Sequence, residues 1–259
     1  STVYNKYFGV GGGSALMPRA KKKSNKKDIQ ASIKISFFKI FFDFLLVFLV
    51  FTVIPVLVYR LVDPPTTPLL WIRWVESGHD KSYPTFLKRW VSLNQISPNL
   101  VRAVIAAEDQ NFFYHSGFDW QAVEAAIKTN LATDKTVGAS TISMQTARNV
   151  FLWQDRSWLR KSLEVWFAFL IENLWSKERI LEVYLNVIEW GNGIFGCESA
   201  SLKYYKHSSV TLSPVESALM AAVLPNPRIW SVLNPQPHVS DRQSKILSAM
   251  SQNQILAQH

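Results

Sequence analysis

Ser97-Pro98-Asn99-Leu100-Val101-Arg102-Ala103-Val104-Ile105-Ala106-Ala107-Glu108-Asp109 is the stretch on which the fold turns. Leu100, Val101, Val104 and Ile105 recur at helical spacing, and Ser97-Pro98 opens the helix with a cap and a proline at its first position. Ala103 to Ala107 is apolar enough to be buried, so Glu108 and Asp109 emerge at the end of a core helix. A carboxyl group there faces the negative end of the helix, and partial burial raises its pKa further. That suits a general acid or base working near neutral pH.

The helical pattern continues downstream. Asp119 is placed to cap a helix over 120–131, with Val123, Ala126 and Ile127 facing inward, and Ser140 to cap one over 141–151. Ser157 opens a long helix to about residue 175, and Ser176 another over 177–186. Ser213-Pro214-Val215-Glu216 reads as a capping box whose helix stops near Leu224, ahead of Pro225 and Pro227. Alternating β-branched runs are scarce, so the domain is expected to be mainly α. Gly191-Asn192-Gly193-Ile194-Phe195-Gly196 lacks the spacing and preceding strand of a dinucleotide site and reads as a close-packed turn.

Upstream the character changes. The 259 residues suffice for one substantial domain with appendages, and the formal net charge is +9. Residues 1–39 hold nine Lys or Arg against Asp28 alone, which is +8; the other 220 residues net only +1. The basic excess is therefore a tail, and a nucleic-acid face on the folded part is excluded. Beside the tail lies an apolar segment, 35–61, that approaches the roughly 20 residues needed to cross a bilayer. No small-residue cleavage pattern follows it, so an uncleaved anchor is expected. Lys21, Lys22, Lys23, Lys26, Lys27, Lys34 and Lys39 precede the span and place the N-terminus in the cytoplasm. Residues 1–16 read as disordered or non-native. Asp63-Pro64-Pro65 makes a stiff exit, and Trp71, Ile72, Trp74 and Val75 read equally well as headgroup-level aromatics or as core. Cys197 is the only cysteine, so an internal disulfide is excluded.

Three segments carry chemistry. Glu108-Asp109 is followed by Phe112, Phe113 and Tyr114, read as apolar walls, and by the turn His115-Ser116-Gly117. Gly138-Ala139-Ser140-Thr141 leads small residues into a helix N-terminus, whose free N–H groups attract anions; Gln145, Arg148 and Asn149 project from that helix. Arg160, Lys161 and Glu164 share a helix, either as an exposed ion pair or as cations gripping a pyrophosphate beside an acid. Each segment alone also has a plain structural reading. The five His residues show no zinc spacing. Two SxxK matches, at Ser24 and Ser36, lack any KTG or SDN partner, so a penicillin-binding acyl-transfer site is not expected.

Taken in order, the run resembles the peptidoglycan glycosyltransferases of family 51, the monofunctional biosynthetic transglycosylases in particular. The resemblance rests on Glu108-Asp109 with Phe112, His115, Gly117 and Asp119; Gly138 to Gln145 with Asn149; Arg160-Lys161 with Glu164; Arg179-Ile180-Leu181-Glu182 with Tyr184-Leu185-Asn186, Gly191, Gly193 and Gly196; and Glu216 to Pro225. It implies a lysozyme-like helical head with a small membrane-associated jaw behind one transmembrane helix. It further implies polymerisation of lipid II for cell wall biogenesis and cell shape. Glu108 would deprotonate the incoming GlcNAc 4-hydroxyl, and Glu164 would be the second acid. Arg148, Arg160 and Lys161 would contact pyrophosphate, while Ser140, Thr141, Gln145 and Asn149 line the donor side. Arg148 stands where the family usually has Lys, and Gly-Ala-Ser-Thr replaces its commoner Gly-Gly-Ser-Thr. The family allows a divalent cation, magnesium or manganese, though no clear ligand set for one stands in this sequence.

The organisation this implies is a basic cytoplasmic tail over 1–34, the transmembrane helix over 35–61 and a membrane-proximal linker into the jaw over 62–96. The glycosyltransferase domain then covers 97–235, and 236–259 is a C-terminal tail. Transpeptidase activity is not expected. The location would be the bacterial inner membrane, single-pass, with the catalytic domain periplasmic. Expected partners are lipid II, undecaprenyl-pyrophosphate-linked glycan, the membrane and other wall-synthesis or division proteins, with nucleic acid excluded. Residues 129–137 would close over the donor. A lytic enzyme on the same fold, or a non-catalytic scaffold, are the rival readings.

Overall fold

The computed structural model describes residues 26–87, 89–132 and 140–256. Residues 1–16, Lys21 to Lys23, Gly138 and most of the expected closing segment lie outside them, as do the side chains of Ala126 and Ile127. The described residues form ten α-helices and one hairpin. The helices are α1 (Lys26–Leu61), α2 (Pro68–Glu76), α3 (Pro98–Glu108), α4 (Trp120–Ala132) and α5 (Ile142–Phe151). They continue with α6 (Trp158–Leu174), α7 (Lys177–Val187), α8 (Cys197–Tyr204), α9 (Pro214–Ala222) and α10 (Pro237–Leu256). The mainly α expectation holds.

Caps set the helix starts. Ser97, Ser157 and Ser176 each accept a backbone N–H from the first turn of α3, α6 and α7. Ser213 and Glu216 close both bonds of the capping box on α9. At α5 the cap differs from the expected Ser140. Thr141 takes that place, accepting from the Met144 N–H at 3.2 Å while donating to the Gly117 carbonyl at 2.7 Å. That second bond ties the cap to the preceding loop, so the helix starts one residue later.

The Gly-rich turn is a hairpin of β1 (Glu189–Gly191) and β2 (Ile194–Phe195), antiparallel, with Glu189 opposite Phe195. Gly193 sits at φ 72°, and a Cβ on Gly191 would stand 1.9 Å from the Tyr204 hydroxyl oxygen. Glycine is required at both positions.

In the core, α3 packs on α9 and α10, and α5 packs on α6 and α7. Leu100, Ile142, Ile171, Ile180, Leu185 and Met220 are fully buried there. Each such side chain contributes about 1.5–3 kcal/mol. The segment expected as a tail, 236–259, instead carries α10, whose Val239, Ile246 and Met250 are buried. These lie at i, i+7 and i+11, one helical face diluted by polar residues.

The chain divides between Phe48 and Leu49. Within α1, Phe38–Leu61 is 24 residues long with a mean hydropathy of 2.7, and only 11% of its most apolar window is buried. At 1.5 Å per residue it reaches about 36 Å, enough to cross a bilayer core of about 30 Å. Its last turns are held by the helices beyond. The Trp175 indole N–H donates to the Val56 carbonyl at 2.8 Å, and Phe151 stacks on both Tyr59 and Phe167. Arg179 of α7 donates to the carbonyls of Tyr59 and Val62, at 2.9 Å each, and pairs with Asp63 at 2.8 Å. A cation thus satisfies carbonyls that the end of α1 leaves open.

Candidate active site

Glu108 ends α3, and its side chain turns into a cavity of about 390 Å³ also lined by Asp109, Asp119, Gln121, Ser140 and Thr141. Its Oε2 accepts from the Gln145 amide N–H at 2.9 Å, and its Oε1 from Arg242 Nη2 of α10 at 3.0 Å. A carboxylate only accepts, so the Gln145 amide must present nitrogen to it and oxygen to the Tyr184 hydroxyl, 3.1 Å away. Burial pushes the Glu108 carboxyl above the usual range; Gln145, Arg242 and the nearby charge of Arg148 pull the other way without cancelling it. Tyr184 lies beneath, its phenol pushed up by burial and by the Glu108 charge.

Asp109 does different work. It is the C-cap of α3, and its carboxylate accepts the Ile142 N–H at the start of α5 at 3.0 Å. His115 Nε2 lies 2.8 and 3.0 Å from its two oxygens. The Gly117 N–H points at His115 Nδ1 from 3.1 Å, so Nδ1 accepts and the Nε2 proton faces Asp109. Gly117 sits at φ 93°, and a Cβ there would press on Glu172 at 3.1 Å. Burial raises the Asp109 carboxyl too, opposed by His115, the Ile142 N–H and Lys177. With Thr141 bonded to the Gly117 carbonyl, these groups lock the end of α3 to the start of α5. That lock holds Glu108 opposite Gln145.

Lys177 anchors the lock from α7: its Nζ donates to the His115 carbonyl at 2.7 Å, pairs with Glu172 at 2.8 Å and lies 4.4 Å over the Phe112 ring. Phe112 is therefore core, fully buried, and not the expected wall. Phe113 and Tyr114 are solvent-facing, the latter 90% exposed. Tandem aromatics on an irregular loop carry no periodicity to say which one turns inward.

Arg148 and Asn149 line a second cavity of about 160 Å³ with Gln145, Tyr184, Gln154, Glu189 and Arg73 of α2. Gln145 thus bonds Glu108 of the first cavity and lines the second. Arg148 Nε is buried with no hydrogen-bond partner among the described residues. Asn149 accepts from Gln154 at 3.4 Å.

The third segment stands apart. On α6, Glu164 is bonded to Arg160 Nη1 and, at 2.6 Å, to Lys161 Nζ, and its side chain is 1% exposed. Arg160 Nε also donates to the Asp155 carbonyl at 2.6 Å. Arg160 and Lys161 line a shallower cavity of about 220 Å³ with Arg156, Ser157 and Trp158. Among the described residues, no three His, Cys, Asp or Glu side chains are arranged to hold a metal ion. Arg242, Tyr184 and Lys177 have no assigned role in the sequence reading. Tyr184 stands in the quoted Tyr184-Leu185-Asn186 run, whereas no spacing pattern links Arg242 to Glu108.

Comparison with known proteins places the chain in a family. The family model described as Transglycosylase matches residues 81–251. The biosynthetic peptidoglycan transglycosylase of Bdellovibrio bacteriovorus is 50% identical over 196 residues, which is 76% of this chain and 78% of that protein. Its counterpart in Rhodospirillum centenum is 50% identical over 193 residues, 74% and 81% of the two chains. The one in Caulobacter vibrioides is 48% identical over 195 residues, 75% and 82%. Fold, site and matches together define a glycosyltransferase that acts on peptidoglycan. The chain belongs to the transglycosylase family of cell wall synthesis.

Proposed function

We propose that this chain polymerises lipid II into glycan strands with Glu108 as the general base. The Glu108 carboxylate takes the proton of the GlcNAc 4-hydroxyl of lipid II as that oxygen forms its bond to the anomeric carbon of the growing chain. The bond from that carbon to undecaprenyl pyrophosphate breaks, with inversion, and the lipid pyrophosphate leaves as an anion. Arg148, Arg160 and Lys161 stabilise that charge, and Glu164 holds the last two in place. Ser140, Thr141, Gln145 and Asn149 line the donor side, while Asp109, His115 and Gly117 fix the frame. Phe112 supports the frame from the core. The catalytic unit of this reading runs past residue 235 to include α10.

One observation carries the proposal: Glu108 opens on a cavity with its carboxyl raised by burial, the condition a base needs near neutral pH. The lysines that precede the apolar part of α1 support a cytoplasmic N-terminus and a catalytic domain across the membrane, beside its lipid-linked substrate. The test is full-length protein with lipid II in vesicles. Long lipid-linked strands are expected from the wild type, and none from Glu108→Gln with its circular dichroism unchanged. Near-normal turnover by that variant, or shortening of pre-formed glycan by the wild type, overturns the reading.

A further inference from the structure

Arg242 is a charged side chain that the mechanism so far leaves without a task. It lies on α10, outside every motif that carries the family resemblance. Yet one of its nitrogens, Nη2, reaches both the Ala107 carbonyl at 3.1 Å and Glu108 Oε1 at 3.0 Å. The first contact grips a carbonyl near the end of α3; the second grips the carboxylate that the same helix delivers. Gln145 holds the other oxygen at 2.9 Å, so Glu108 is clamped from two helices at once. The Glu108 side chain is 14% exposed and that of Arg242 34%, so the pair is half-sheltered and open on one side.

We infer that Arg242 is the positioning residue of the base: it aims the Glu108 carboxylate into the cavity and keeps it ionised until the acceptor hydroxyl arrives. The inference rests on the reading of Glu108 as general base. A guanidinium suits the task because it stays charged and offers several donors in a fixed plane, so one nitrogen can bridge carbonyl and carboxylate. A carboxylate oxygen has a second acceptor site, so Glu108 Oε1 can hold Arg242 and a substrate hydroxyl together. Without the cation, only the Gln145 amide and the charge of Arg148 oppose burial at Glu108, and the carboxyl holds its proton to higher pH than in the intact clamp.

The other groups facing Glu108 do not replace this contact. Arg148 from α5 acts on it through charge alone, and Tyr184 from α7 is a neutral phenol bonded to Gln145. Asp109, next in the chain, is occupied by His115 and the Ile142 N–H, and Asp119, in the same cavity, accepts from Asn111 at 2.9 Å. From α9, which also packs on α3, the one titratable side chain is Glu216, bonded to His207 and Ser213. Arg242 is the hydrogen-bonded cation among them.

The experiment is the pH profile of lipid II polymerisation by the full-length chain in vesicles, for wild type, Arg242→Gln, Arg242→Lys and Glu108→Gln. In Arg242→Gln the acid limb of kcat/KM is expected to move up by about one pH unit, the usual effect of losing an adjacent opposite charge. Its kcat at the optimum should fall about tenfold or more, from lost aim. Arg242→Lys keeps the charge and the stem, so its limb should return to the wild-type position while kcat stays reduced. It also keeps the inference testable if glutamine disturbs the packing of α10 on α3. An acid limb and kcat equal to wild type in Arg242→Gln overturn the inference, as does a limb in Arg242→Lys displaced as far as in the glutamine variant. A role confined to packing would lower yield or melting temperature and leave the limb in place. Glu108→Gln separates the two levels: if it retains turnover the base assignment fails, whereas if it is dead and Arg242→Gln is indifferent, only the present inference fails.

Discussion

Glu108 and Glu164 are both carboxylates beside arginine, one partly sheltered and the other fully buried, and their surroundings differ in kind. Glu108 takes its partners from two other helices, Gln145 on α5 and Arg242 on α10, and faces a cavity of about 390 Å³. Glu164 takes Arg160 and Lys161 from its own helix, one turn away or less, and is 1% exposed. An acid held by distant elements can be aimed and left partly unsatisfied. One saturated by its own neighbours cannot take a proton from a substrate, but it can fix where two cations point. The difference supports the proposed division, with proton transfer at Glu108 and organisation of positive charge at Glu164. It also argues against a symmetric pair of the kind that flanks a glycosidic bond in a hydrolase.

Removing each acid should therefore produce different damage. Glu108→Gln is expected to cost polymerisation about 10³-fold or more, in keeping with loss of a general base, with KM for lipid II little changed. Glu164→Gln should lower kcat/KM by about 10²-fold through misdirected cations. It should also destabilise the fold by about 3 kcal/mol, because Arg160 loses its buried counter-charge and keeps only the half-exposed Asp155, 3.6 Å away. In a thermal melt that is a fall of about 6–12 °C. Steady-state kinetics and melting temperatures of the two variants decide the matter. If Glu164→Gln were as inactive as Glu108→Gln with an unshifted melt, Glu164 would be reacting with substrate and the contrast would collapse.

A smaller effect is expected at Arg148, which lines the cavity on the far side of Gln145. Arg148→Lys keeps the charge but loses the planar fork, so kcat/KM should fall about tenfold or less. A lysine variant equal to wild type would mean that charge alone matters there, as it does in the electrostatic effect of Arg148 on Glu108.

The same contrast explains which parts of the molecule were legible in the sequence. Helix starts are written locally: Ser97, Ser157, Ser176 and the Ser213–Glu216 box each cap the helix they precede. The Glu164 cluster is local too, since i,i+3 and i,i+4 spacing brings Lys161, Arg160 and Glu164 together on any helix. Glu108 is legible as a residue but not as a site, because its partners are 37 and 134 positions away. Arg242 was hidden for a second reason. The apolar face of α10 is only Val239, Ile246 and Met250 among polar residues, so the segment read as a tail. The shift of the cap from Ser140 to Thr141 has the same origin, a bond to Gly117 24 residues earlier.

The smallest expected effect concerns stability against pH, and it isolates what burial does to Glu108. Burial raises this carboxyl above its ordinary value of 4.5, and Asp109 above 3.8. Such a group binds its proton more tightly folded than unfolded. Its stabilisation is therefore fully present below the ordinary value and is lost as pH rises through the folded one. Glu108→Gln removes one of these two titrations and leaves Asp109 in place. Between about pH 4 and 7 the wild type should lose stability relative to the variant by about 1.4 kcal/mol for each unit of elevation, or roughly 3–6 °C. Melting curves of both proteins across that range measure the difference directly. A gap that narrows in the opposite sense would show that the cations of Arg242 and Arg148 outweigh burial. Glu108 would then be a carboxylate stabilised in its charged form, closer in character to Glu164 than its open position suggests.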